Sequence, residues 1–137
     1  MKGRNTTMTA ASPILIIHVR LTGTFFLEGY TKNICMLPFD GTAEGPYFSG
    51  KIIGTGTDTQ KIEKSGQAVL SARYMLEGID CENNPCKIFI ENNGTDMAKC
   101  TPTLITNSPV LARFETMALT SSVVPAEGGV TVCIYAP

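Results

Sequence analysis

An acid and a base, Asp58 and Arg73, stand in a glycine-punctuated stretch, residues 45–76, where strand formation calls for neither. Arg73 falls in the middle of an apolar run, so its charge must reach water or meet a partner. If a hairpin brings Asp58 beside it, the two make a charged pair, or an anion-gripping guanidinium, inside a barrel mouth. The plainer reading is an Arg73 solvated on the outer face or held in a structural ion pair. Tyr74, Tyr47 and Tyr30 offer phenolic donors to a pocket, or pack as core aromatics with the hydroxyl satisfied at the rim. Glu91, Arg113 and Glu115 are further strand-borne charges, and Glu91 with Glu115 would suit general acid–base work if the fold joined them. The candidate ligand-binding set is therefore Asp58, Arg73, Tyr74, Tyr47 and Glu91, with no catalytic set assigned.

Other chemistries find less support. His18 shares a strand face with Arg20 and reads as a surface or satisfied residue rather than a base. Cys35, Cys81, Cys86, Cys100 and Cys133 make an odd set without a secretory signal, which argues for reduced thiols. Cys81 and Cys86 bracket the turn Glu82-Asn83-Asn84-Pro85 and can face each other across a hairpin, forming a disulfide under oxidation. With a single histidine and no second close Cys pair, no metal is expected. No phosphate-binding loop, dinucleotide fingerprint or nucleophile elbow occurs, and no cofactor is expected.

The elements that must position these residues read as strands. Gly50, Gly54 and Gly56 would each cost a helix roughly 1 kcal/mol relative to Ala. In a strand they mark bulges, bends or close backbone approach, which a small coiled barrel needs. From residue 67 to 76 the chain alternates. Ala68, Leu70, Ala72, Tyr74 and Leu76 share one face; Gln67, Val69, Ser71, Arg73 and Met75 share the other, giving a strand with one dry face. Residues 14–21 form a first strand. Residues 24–37 form a bent strand or hairpin stopped by Pro38, and Asp40-Gly41 makes a turn. Residues 58–63 form a short strand. Residues 87–91 form another, ended by Asn92-Asn93-Gly94. Residues 101–106 give a weaker strand at an edge or mouth, because Pro102 interrupts it. Residues 110–124 have a first half of helical propensity and a β-branched tail, and are read as β. Residues 130–135 close the chain.

That is about eight to ten short strands with turn signals between them, an all-β chain. Short connections imply a single antiparallel meander β-barrel whose closure removes exposed edges and leaves room for one small ligand. Residues 1–12 are read as a flexible N-terminus and residues 13–137 as one barrel domain. A net charge of −1 implies no general affinity for nucleic acid or an anionic membrane. Lys2 and Arg4 precede the apolar residues 14–17, but that run is short and meets His18 and Arg20. No apolar run reaches the roughly 20 residues of a span, so a cytoplasmic protein is expected. With 43% hydrophobic against 17% charged residues, the surface is lean in charge, which points to a homo-oligomer.

The ordered elements Gly45-Pro46…Gly50, Thr55-Gly56-Thr57-Asp58-Thr59, Gly66, Leu70-Ser71-Ala72-Arg73-Tyr74-Met75-Leu76 and Asn92-Asn93-Gly94 carry a family likeness. In order and spacing, over about half the chain, they resemble the small proteins of domain of unknown function 3237. Two departures stand out: Thr59 replaces that family's Trp after the Asp, and Thr55 replaces the first glycine of its pair. The resemblance implies a compact antiparallel β-barrel that self-associates, and no established activity. Three functions follow in order: a small-molecule-binding barrel for an apolar ligand bearing an acidic or polar group; a metal-independent isomerase- or cyclase-like enzyme; and a self-assembling structural barrel.

Overall fold

The computed structural model describes residues 12–98 and 100–137. The expected flexible terminus lies outside them, apart from Ser12. Nine strands run in chain order: β1 (Leu15–Leu21), β2 (Phe25–Glu28), β3 (Lys32–Glu44), β4 (Phe48–Glu63), β5 (Ala68–Asp80), β6 (Pro85–Gly94), β7 (Cys100–Thr106), β8 (Thr120–Ala126) and β9 (Gly129–Tyr135). All pair antiparallel in one sheet, in the order β7-β6-β5-β4-β3-β1-β9-β8, with β2 added to β3. The chain therefore meanders from β3 to β7, and β9 returns to β1. The curl brings β8 back beside β7, which makes the molecule barrel-like. Among the described residues no ladder joins β7 to β8. Side chains span this seam instead: Asn92 Nδ2 donates to Ser121 Oγ at 3.2 Å, and Ser121 Oγ donates to the Cys100 carbonyl at 3.5 Å. The expected all-β antiparallel barrel is thus found as a barrel-like curl of one sheet, with side chains in place of a ladder at the β7–β8 joint.

The long strands differ from the short ones that the turn signals predict. Pro38 and Asp40-Gly41 lie inside β3, with only a register irregularity between Phe39 and Thr42. Pro38 is tolerated because β3 changes partners there: Leu21 of β1 pairs with Phe39, and Phe25 of β2 pairs with Met36. Its missing N–H falls in the gap between the two. Residues 58–63 belong to β4, which runs without a break through a bulge. Ile53 pairs with Met75 and Thr57 with Arg73, so two extra residues are absorbed around Gly54, whose φ is +63°. Two is an even number, so the inward face is kept across the bulge. Residues 110–124 are the clearest departure: a 3-10 helix, Ala112–Thr116, precedes β8. Leu111, Phe114 and Leu119 are buried there, so this segment plugs one end of the barrel.

The core fills only that end. Leu15, Ile17, Phe48, Ile52, Leu76, Ile88, Leu104 and Ile134 pack under the plug. Asp80 ties the plug to the β5–β6 hairpin. Its Oδ1 accepts from the Glu82 and Asn84 backbone N–H groups at 2.9 and 3.1 Å, and its Oδ2 accepts from Ser108 Oγ at 2.8 Å. Ser108 in turn starts the 3-10 segment, its carbonyl accepting from Ala112 N at 3.0 Å. Burial alone would raise the Asp80 carboxyl, but the bonds from Ser108, Asn84 and Glu82 outweigh it and hold it below the usual carboxylate range. A depressed folded-state value means that this stability is present above the unfolded value and is lost as pH falls through the folded one. Below about pH 4 the Tm is therefore expected to fall faster with acidification in wild type than in Asp80→Asn, while Asp80→Asn starts lower at neutral pH. Parallel slopes in a thermal melt series contradict this.

Candidate functional site

The other end of the barrel is hollow. A cavity of about 200 Å³ opens there, somewhat larger than the roughly 150 Å³ apolar void that admits benzene in an engineered protein. Its wall is mainly aliphatic, with Val19, Leu21, Leu37, Leu70, Val123, Val130 and Val132 among its residues. Among the described lining residues Asp58 is the one that is charged, and Gln60, Tyr74, Asn92 and Cys100 are the polar ones.

Cross-strand register sets the geometry. One row reads Leu37, Asp58, Ala72, Asn92 across β3, β4, β5 and β6. Asp58 and Asn92 are two strands apart, about 10 Å, and the small Ala72 leaves the space between them open. Phe39 occupies the next row, opposite Gly56. Gly56 precedes the Thr57–Arg73 pair, so it lies between Phe39 and Tyr74. A Cβ on Gly56 would overlap the Phe39 ring and lie 2.8 Å from Tyr74 Cβ. Its absence lets the two rings meet edge to face with centroids 5.4 Å apart. That pair forms the floor between cavity and packed core.

The electrostatics follow from burial. Asp58 Oδ2 accepts from Gln60 Nε2 at 3.1 Å. The Cys100 thiol is pushed up first by desolvation and then by Asp58 and Asp96, so it stays protonated and poorly nucleophilic. Burial raises the Tyr74 phenol well above its ordinary value.

Of the five candidates, the structure brings Asp58 and Tyr74 together in the cavity. Arg73 and Glu91 do not join them. Both lie on the outer face, paired with each other at 3.3 Å, and the Arg73 side chain is 66% exposed. The expected Asp58–Arg73 pair in the mouth is corrected: Arg73 pairs in register with Thr57, while Asp58 faces the lumen opposite Ala72. Tyr47 sits at the plugged end, 5.5 Å from the Phe114 ring, with the Arg113 guanidinium 5.0 Å above it. Tyr30 is fully exposed. His18 is paired with Glu44 on the surface at 2.6 Å. Glu115 accepts from Thr106 N at 2.8 Å, away from Glu91. Cys86 pairs in register with Gly78 and is buried, while Cys81 lies exposed in the turn; the hairpin does not set them opposite each other. Among the described residues no cluster of three or more His, Cys, Asp or Glu side chains is placed to hold a metal.

Gln60, Asn92 and Cys100 escaped the sequence reading. Gln60 is two residues beyond Asp58 and shares its face, so alternation could have found it. Asn92 continues the inward series Ile88, Ile90, but the Asn-Asn-Gly signal reads as a turn. Cys100 carries no local signal.

Comparison with known proteins agrees with this architecture. The sequence model of a family described as protein of unknown function (DUF3237) matches residues 10–135. A UPF0311 protein of Clostridium acetobutylicum is 34% identical over 88 residues, 64% of this chain; the chain spans about half, 48%, of that relative. A crystal structure of a protein of unknown function from Clostridium acetobutylicum superposes with a TM-score of 0.76 at 20% identity, covering 93% of this chain and 99% of that one. A β-barrel-like protein from Acinetobacter baumannii gives 0.73 at 20% identity, covering 93% and 94%. An enzyme from Penicillium herquei gives 0.63 at 14% identity, covering 93% and 98%.

Proposed function

The chain belongs to the DUF3237 family of proteins of unknown function, and from that premise we propose that it binds a small, mainly apolar ligand in the hollow half of its barrel. One observation carries this reading. One end of the lumen is filled by buried apolar side chains, while the other is a mostly aliphatic cavity with a few convergent polar groups, the usual make-up of a ligand site. A protein that needed only a stable barrel gains by filling such a void.

The charge in the lumen narrows the ligand. Among the described residues Asp58 is its one charged group, and Arg73 is outside. An acidic ligand would bring a second negative charge into a low-dielectric space where none of the described lining residues offers a cation. The ligand is therefore neutral or cationic. A panel of neutral one- and two-ring compounds should raise the Tm, and the matching carboxylates should not. No stabilisation by any neutral member contradicts the binding reading.

A second reading is a metal-independent isomerase- or cyclase-like enzyme with Asp58 moving the proton. A lone carboxylate in an apolar lumen favours it, and one neighbour of the same fold is described as an enzyme. Turnover of a bound compound that is lost in Asp58→Asn, with binding kept, separates this reading from simple binding.

A further inference from the structure

Cross-strand register places an apolar row on the outer wall. Ile53, Met75, Phe89 and Ile105 pair in turn across β4, β5, β6 and β7. Each adjoins a buried residue in the chain, Ile52, Leu76, Ile88 or Leu104, so alternation points all four outward. Met75 is 40% exposed and Ile105 61%; Ile53 and Phe89 are half-buried. Single exposed apolar side chains are ordinary on a surface, but four in register make a continuous strip.

Charges border this strip on both sides. Two residues along β5 and β6 one way stand Glu77 and Lys87, paired in register. Two residues the other way stand Arg73 and Glu91, also in register and joined at 3.3 Å. Around Met75 and Phe89 these four charges form a square of alternating sign. Such a square is neutral and offers little to a surface of one sign, but it is complementary to itself.

We propose that a second copy of this chain packs face to face on the outer side of β4–β7, about a two-fold axis lying in the sheet. Turning the square over about such an axis lays cation on anion at all four corners. With the axis along the apolar row, Arg73 meets the partner's Glu77 and Glu91 meets the partner's Lys87. With the axis along the strands, Arg73 meets the partner's Glu91 and Glu77 meets the partner's Lys87. Either way Met75 and Phe89 of both copies fill the centre, an apolar core inside a charged rim and the same patch on each protomer. This pairing does not depend on what the lumen holds.

Sedimentation across the micromolar range tests it. Wild type should show a monomer–dimer equilibrium. Met75→Asp should abolish the dimer with the strand circular-dichroism signal kept, because the position is on the surface. Glu77→Lys should weaken the dimer at least about tenfold, since like charges then meet. Mixed in equal amounts with Arg73→Glu or with Lys87→Glu, Glu77→Lys should dimerise again: with the first if the axis follows the row, with the second if it follows the strands. A wild type that stays monomeric overturns the proposal. So does a dimer that either single change leaves at wild-type strength, and so does rescue by neither mixture.

Discussion

Gly78→Ala is expected to lower the Tm by more than about 10 °C. Gly78 pairs with Gly50 across β4 and β5 at the plugged end. A Cβ on Gly78 would overlap the Ser49 carbonyl oxygen and come within 2.6 Å of Gly50 Cα. Both are backbone atoms, so no rotamer change relieves the clash; the strands must move apart. Ordinary overpacking costs about 1–3 kcal/mol, and a collision with backbone in a packed end should reach or exceed the upper figure. The neighbouring pair, Ile79 with Ser49, gives the control. Ile79 is exposed, and Ile79→Ala should change the Tm little. A Gly78→Ala protein that melts with wild type would show that β4 and β5 are not drawn together there.

The second large effect is functional. Ala72→Phe should weaken binding of any lumen ligand by about 100-fold or more, equivalent to roughly 2.7 kcal/mol, without loss of stability. The ring would stand in the one row that holds Asp58 and Asn92, and would occupy the space a ligand needs. Filling a void with apolar atoms commonly adds about 0.5–2 kcal/mol of stability, so the Tm should hold or rise as binding goes. Opposite movement of the two readouts distinguishes a vacated binding site from general damage. If binding persists at wild-type strength, ligands do not enter the cavity beside Ala72.

The strand content and the inward face of β5 were legible because alternation is a local property. Ala72, Tyr74 and Leu76 face the lumen or the core as period two requires. The same rule already put Arg73 on the opposite face. Its placement beside Asp58 needed strand proximity alone, and adjacent strands with opposite side-chain senses do not bring two side chains together. Asp58 was legible only by luck of parity, since one extra residue in the bulge at Gly54, rather than two, would have turned it outward. Pro38 and Asn92-Asn93-Gly94 misled for a common reason: local punctuation is overruled when neighbouring strands continue past it. Residues 110–116 have no preference of their own that decides, and Phe114 is helical because the barrel end needs a lid. The seam, and with it Cys100 and Ser121 beside the cavity, depends on residues far apart in sequence and leaves no trace in either segment.

That seam gives the molecule a mechanical character. A ring of ladders all round resists any change of girth, whereas among the described residues the β7–β8 joint is bridged by side-chain bonds and not by a ladder. Strain imposed from within is relieved where resistance is least, so the wall between β7 and β8, which lacks a ladder, is where the hoop is expected to yield first. On the proposed binding reading, guests of somewhat different bulk would then be accommodated by the spring of the sheet, without repacking of its far end.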